Sequence, residues 1–161
     1  RDGDDFIFVA NGNNNVNGGA GHDTLLGGVG NDTLEGGSGN DILVGDRFAR
    51  GSSGEDIIIA GAGTDWIQGS GGADIFVFNA NDGENTIGRI NSDYTAIAGR
   101  DFDTGEDVIR LGTGFEFASA QSVANAFSNV GNDAVLSSNN TTIRLLGIDA
   151  DDLTASNFDI A

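Results

Sequence analysis

Aspartate recurs at an interval of nine along the first half of this chain. It stands at Asp5, Asp23, Asp32 and Asp41, with Asn14 in the remaining place, and resumes at Asp56, Asp65 and Asp74. Each of these aspartates follows a glycine two residues earlier. Short carboxylates in glycine turns suit oxygen ligation of a hard divalent cation. The unit is clearest over Gly18–Val44, which reads GGAGHDTLL, GGVGNDTLE, GGSGNDILV: three consecutive copies of G-G-x-G-x-D-x-U-x, where U is a large aliphatic. Its glycines allow left-handed backbone that turns carbonyls inward. Those carbonyls complement the carboxylates toward the roughly six to eight oxygens that calcium takes at about 2.3–2.6 Å.

The candidate calcium ligands fall turn by turn. They are Asp5; then Gly18, Ala20, Gly21 and Asp23; then Gly27, Val29, Gly30 and Asp32. Gly36, Ser38, Gly39 and Asp41 follow, then Gly54 and Asp56, then Gly61, Gly63 and Asp65, and last Gly72 and Asp74. The aspartates contribute side chains and the other residues backbone carbonyls.

A period of nine is too short for a helical repeat. It accommodates a six-residue turn alternating with a three-residue strand. The eighth place of each unit holds Ile7, Val16, Leu25, Leu34, Leu43, Ile58, Ile67 and Phe76, an unbroken apolar column that only burial explains. Two units make one coil, so turns stack on turns two units away. One edge then carries Asp5, Asp23, Asp41 and Asp65, and the opposite edge Asn14, Asp32, Asp56 and Asp74. Parallel strands about 4.8 Å apart bring the carboxylates of one edge close together. Unscreened, they repel. A divalent cation between consecutive turns reverses the sign of that term. The count comes to about five or six ions, with the Asn14–Asp32 place the weak one because it lacks a charge.

Strand flanks predict a partly covered roll. Outward positions on one sheet are Phe6, Phe8, Thr24, Leu26, Ile42, Val44, Trp66 and Gln68, too apolar a face for open solvent. The second sheet begins polar at Asn15, Asn17, Thr33 and Glu35 and turns apolar at Ile57, Ile59, Ile75 and Val77. A cover from the C-terminal half, or from an absent N-terminal domain, is expected. Gly45–Arg50 (GDRFAR) reads as a six-residue insertion, either a contact loop around Phe48 or, more simply, a tolerated excursion in which Asp46 assists the adjacent ion.

The pattern changes after Val77, which suggests a roll over residues 1–77 and a β-rich cap over 78–161. Ile75–Asn79, Glu84–Ile90, Glu106–Leu111, Ala134–Ser138, Thr141–Ile148 and Asn157–Ile160 read as strands. Asn139-Asn140 reads as a hairpin turn. Ala118–Asn129 carries Ala120, Val123, Ala124 and Phe127 at helical spacing and reads as a short helix.

The nonapeptides identify the chain as resembling the RTX (repeats-in-toxin, hemolysin-type) calcium-binding proteins. The C-terminal half is similar to the roll-and-cap module of serralysin-type exported proteins. That likeness rests on Asp74, Phe76, Phe78, Gly83, Ile87, Asp101-Phe102, Gly105, Asp107 and Ile109, with a longer connection over Gly88–Arg100. The resemblance implies an all-β, right-handed parallel β-roll with a C-terminal cap. It also implies secretion from a bacterium, or display on its surface, by a type I machinery that reads a C-terminal signal such as Phe158-Asp159-Ile160-Ala161.

Composition narrows the function. A net charge of −18, with 20 Asp against 5 Glu and no Lys, opposes binding to nucleic acid or anionic membrane. No Cys occurs, so neither disulfides nor thiolate metal sites are available. Nothing approaches the roughly 18-residue apolar run of a membrane span. The one histidine, His22, is a variable turn residue, and neither a zinc-protease motif nor G-x-S-x-G is present. This chain therefore reads as a calcium-dependent folding and export module, not an enzyme. The start at Arg1 in mid-repeat suggests part of a larger exported protein. Two alternatives stand beside it. One is an adhesive or surface-layer module that self-assembles through the apolar sheet; the other is an accessory domain of an exported protease, lipase or polysaccharide-modifying enzyme.

Overall fold

The computed structural model describes residues 2–46, 54–91 and 99–161. The Arg47, Phe48 and Arg50 contact loop and the middle of the Gly88–Arg100 connection lie outside them. The strands are β1 (Phe6–Phe8), β2 (Asn15–Ala20), β3 (Thr24–Leu26), β4 (Thr33–Ser38), β5 (Ile42–Val44), β6 (Ile57–Gln68), β7 (Ile75–Phe78), β8 (Gly83–Ile87) and β9 (Val108–Leu111). After helix α1 (Ala120–Ala124) come β10 (Ser128–Val130), β11 (Asp133–Ser138), β12 (Thr141–Leu145) and β13 (Phe158–Ile160).

Alternate strands enter alternate faces of a parallel β-roll. One face runs β2-β4-β6-β7-β9-β13, parallel throughout. The other runs β1-β3-β5-β6-β8-β12, also parallel, and continues antiparallel into β11 and β10. Strand β6 serves both faces: Ile57–Ile59 pair with Thr33–Glu35, and Trp66–Gln68 with Ile42–Val44. Register places like positions side by side, as in Leu25 with Leu43 and Ile58 with Phe76. The parallel ladders run on past Val77 through β8 and β9.

The apolar column lies between the faces. Leu25, Leu34, Leu43, Ile58, Ile67 and Phe76 are fully buried and Val16 is 5% exposed, while Ile7 in the first coil is half-buried. Each fully buried aliphatic contributes about 1.5–3 kcal/mol relative to exposure. The core continues through Phe78, Ile87, Phe102, Ile109, Leu136, Ile143 and Leu145, and the Phe102 ring meets Phe76 at 5.9 Å between centroids. Residues before and after Val77 thus share one core. The expected outer cover is uneven: Leu26 and Val44 are buried, Trp66 is half-buried, and Phe6 and Phe8 are 59% and 50% exposed.

Two C-terminal expectations need correction or refinement. The helix spans only Ala120–Ala124, started by a reciprocal Ser119–Ser122 capping box, and Phe127 lies beyond it. Ser128–Val130 pair instead with Asp133–Val135, so tertiary strand pairing overrides a weak helical period. Asn139 and Asn140 have φ of 51° and 57°, the two left-handed residues that a tight β11–β12 hairpin requires. Among the described residues no helix is long and apolar enough to cross a membrane.

Candidate metal centre

Hydrogen bonds fix one oxygen of each column aspartate after Asp5. On the first edge the amide of Asp5 donates to Asp23 Oδ1 at 2.7 Å, that of Asp23 to Asp41 Oδ1 at 2.8 Å, and that of Asp41 to Asp65 Oδ1 at 2.8 Å. On the second edge Asn14, Asp32 and Asp56 donate in the same way to Asp32, Asp56 and Asp74, at 2.8, 2.8 and 3.0 Å. A second ladder runs in the opposite direction one residue earlier. There the His22 amide donates to Asp4 Oδ1, the Asn40 amide to His22 Nδ1 and the Thr64 amide to Asn40 Oδ1. His22 is thereby a turn residue holding the next coil.

The other oxygen has no such partner. Oδ2 of Asp5, Asp23, Asp32, Asp41, Asp56, Asp65 and Asp74 is buried and accepts no hydrogen bond. Buried acceptors are almost always paired, so seven in one repeated place fit the ligand set of a cation. The three ion pairs among the described residues are Arg100–Asp103, Arg110–Asp159 and Arg144–Asp133, none of them at a column aspartate.

Electrostatics agrees. Burial pushes the Asp56 and Asp65 carboxyls up to about 7 and that of Asp74 to about 8, and raises Asp41 as well. The amide from the preceding coil opposes that rise, and neighbouring carboxylates add to it: Asp46 and Asp32 at Asp56, Asp41 and Asp82 at Asp65. Burial thus makes the charged forms of Asp56, Asp65 and Asp74 costly unless a positive charge compensates them.

Backbone carbonyls meet the same spaces. A Cβ on Gly18 would collide with both Asp23 Oδ2 and the Gly36 carbonyl one coil on. Carboxylate oxygen and carbonyl therefore face one gap, kept open by the missing side chain. The same pairing recurs for Gly27 with Asp32 and the Gly45 carbonyl, Gly36 with Asp41 and the Ala60 carbonyl, and Gly45 with Asp56 and the Gly69 carbonyl. Gly39, at φ 129°, sits directly on the Gly21 carbonyl, where any side chain would be both strained and blocked. Gly63 stacks on Gly39, Gly61 on Gly37, Gly54 on Gly30 and Gly72 on Gly54. The Ala20, Val29 and Ser38 carbonyls accept the amides of Gly3, Gly12 and Gly21, leaving each one lone pair. Among the described residues no three carboxylate or imidazole side chains form a metal cluster. Any ion here must take backbone oxygens as well, which fits calcium and disfavours softer metals.

The gaps have further members beyond the ligands assigned from the repeat. The carbonyls of Gly45, Ala60 and Gly69 belong to the gaps but were hidden by an alanine and an insertion. Gly45 and Asp46 are themselves in the stack, donating to Gln68 O and Gly69 O, so the extra residues follow Asp46 instead of beginning at Gly45. Asp46 is 2% exposed; its Oδ2 accepts from Gly54 N at 2.6 Å and its Oδ1 has no partner. Burial raises its pKa, as does the Asp32 charge, against the Gly54 hydrogen bond. Asp107 extends the second edge, accepting from Asp74 N at 3.0 Å and, through Oδ2, from Asp103 N at 2.7 Å. Asp101 Oδ2 takes the Gly69 amide at 2.8 Å, the place that the Gln68 carbonyl fills for Gly45. Burial chiefly pushes Asp101 up to about 7 and Asp107 to about 6.

Fold and site together define a parallel β-roll whose turns are built for calcium. Residues 1–34, 17–49 and 50–87 match the RTX calcium-binding nonapeptide repeat (4 copies), and the chain belongs to that family. RTX repeats bind calcium, and the repeat region here is a structural calcium-binding module. A similar solved structure is the AlgE6R3 subunit of the Azotobacter vinelandii mannuronan C5-epimerase. It is 26% identical with a TM-score of 0.58, over 98% of this chain and 78% of that one. The extracellular lipase LipA of Serratia marcescens aligns at 14% identity and TM-score 0.49, over 99% of this chain and 38% of the lipase. No curated protein sequence matches.

Proposed function

We propose that this chain is a calcium-dependent folding module of a larger exported bacterial protein, threadable while unfolded and folded once outside the cell. The observation that carries this is the run of seven buried, unpartnered Oδ2 atoms. Bound between turns, Ca²⁺ supplies the positive charge that the column lacks. The protein's own part is to hold each Oδ1 on a backbone amide, aim Oδ2 and a carbonyl into one gap, and exclude water with the apolar column. At −18 and without calcium, that arrangement is self-repelling. Sites of extracellular type bind with Kd of about 10⁻⁴–10⁻³ M, so they fill outside the cell and not in calcium-poor cytosol. Binding free energy then becomes folding free energy.

The ligands we assign are the aspartates and turn carbonyls of residues 5–74, with three ions on the first edge and two or three on the second, about five or six in all. Residues 78–161 serve as the cap and carry the type I export signal at the C-terminus. The experiment is circular dichroism of the full chain across a calcium titration. Loss of most β-structure in EDTA, with recovery at millimolar calcium, is expected; a chain fully folded in EDTA overturns the reading.

The likeness to a subunit of a mannuronan C5-epimerase favours, as a second reading, an accessory role beside an exported polysaccharide-modifying enzyme. Sequence preceding Arg1 in the parent protein decides between these roles.

A further inference from the structure

The first-edge stack does not end at Asp65. Strand β8 pairs with β6 so that Gly83 lies beside Gly63 and Asn85 beside Asp65. The Gly63 amide donates to Asp82 O at 2.9 Å, as Gly21 does to Ser38 O and Gly39 to Ala62 O. Gly83 has φ 86° and stacks on the Gly63 carbonyl as Gly63 stacks on Gly39. Residues 80–85 therefore form another turn of the same backbone shape, although their sequence, Ala-Asn-Asp-Gly-Glu-Asn, departs from the repeat.

Asn85 stands in the aspartate column of this turn. It is 1% exposed, and neither Oδ1 nor Nδ2 has a partner. The other asparagine of the columns behaves differently. Asn14 is half-exposed and its Nδ2 donates to Gly12 O at 2.6 Å and Asp32 Oδ1 at 3.2 Å. Beside Asn85, the Asp65 Oδ2 is buried and unpartnered, and Asp82 is 7% exposed and within Coulombic reach of Asp65. Asp82 is held by the cap: its amide donates to Thr141 Oγ1, and its Oδ2 accepts from Asn79 N at 2.6 Å. On the far side, Asn85 aligns with the fully buried Ile143 of β12, which offers no ligand.

We propose that the turn 80–85 holds a further hard divalent cation against Asp65, with the Asn85 carboxamide oxygen and the Asp82 carboxylate as its new ligands, at the joint between roll and cap. The inference rests on the calcium reading above and adds a site that the repeat does not describe. A carboxamide oxygen is an ordinary calcium ligand, neutral where aspartate is charged. Two carboxylates then share one ion, as at the regular places of the roll. Binding here orders β8 and, through Asp82 and Thr141, the start of β12, so closure of the cap becomes linked to calcium.

The test is equilibrium dialysis of ⁴⁵Ca²⁺ on the full chain, comparing the parent with Asn85→Leu, both checked for β-structure by circular dichroism. One ion fewer per chain in N85L is expected. An equal count in the two proteins overturns the inference and leaves the calcium reading standing, whereas a parent that binds no calcium overturns both. Should N85L fail to fold, Asn85→Asp decides. A carboxylate at an ion site binds its ion at least tenfold tighter and raises the melting temperature in saturating calcium. An uncompensated carboxylate in a metal-free pocket lowers that temperature and overturns the proposal.

Discussion

The amide of Asp32 donates to Oδ1 of Asp56 at 2.8 Å, although 24 residues separate them and Asp41 lies nearer in sequence. The two aspartates are consecutive steps of one edge, six residues further apart in sequence than the 18 that separate Asp56 from Asp74. Asp56 therefore faces two gaps, one toward Asp32 and one toward Asp74. Asp56→Asn is expected to weaken both, raising the calcium concentration at half-folding by at least tenfold. A first-edge terminal change, Asp5→Asn, touches one gap and should shift it less. Parallel calcium titrations followed by circular dichroism compare the two.

Acid should favour the calcium-free fold. The Asp56, Asp65 and Asp74 carboxyls have folded-state pKa values raised to about 7, 7 and 8 from 3.8. The folded chain thus binds more protons than the unfolded one between about pH 4 and 8. The stability they contribute is fully present below the unfolded value and lost as pH rises through 7 to 8. In EDTA, β-structure should increase as pH falls from 8 toward 5. In calcium the trend reverses, because protons compete with the ion, and half-saturation should need more calcium at pH 5 than at pH 8. A calcium-free chain that loses structure on acidification contradicts the raised values.

Gly39→Ala tests the turn backbone. The position has φ 129° and faces the Gly21 carbonyl, so alanine adds both strain and a collision. A loss of at least about 1–3 kcal/mol is expected, read as a lowered denaturation midpoint in saturating calcium. Gly131, with nothing near its Cβ position, lacks the collision and should cost less.

His22 should be replaceable only by another acceptor. Its Nδ1 receives the Asn40 amide at 2.8 Å, the role Asn40 plays for Thr64. His22→Asn is expected to be near neutral, whereas His22→Val should lose about 0.5–1.5 kcal/mol. Equal melting temperatures for the two variants in saturating calcium would remove that ladder from the account.

Position along the column should set the cost of core truncation. Leu34 is fully buried between coils, while Ile7 in the first coil is half-buried. Leu34→Ala should cost about 2–5 kcal/mol, and Ile7→Ala clearly less. Denaturant unfolding in calcium gives both numbers.

By itself the sequence determined the interior of the array. Asp23, Asp32 and Asp41, their glycines and the Leu25, Leu34 and Leu43 column repeat every nine residues, and that period admits few chain paths that bury the leucines and bring the aspartates together. Edge assignment followed from arithmetic, since two units close one coil, and Asp32 pairing with Asp56 was legible on that ground. Tertiary structure alone decided where the stack begins to change. Asn85 and Asp107 keep a glycine two residues before and an isoleucine two residues after, but they and Asp101 continue or close the columns off the nine-residue interval, because what propagates the roll is backbone hydrogen bonding to the coil already formed. That templating accepts any side chain the backbone shape allows, so it leaves no periodic trace in the sequence. Asp46, expected from the sequence to assist the adjacent ion, is held in the same way, its amide donating to the Gly69 carbonyl. Ser128–Val130 show the rule for the cap: an exposed short segment took strand form because β11 offered it partners.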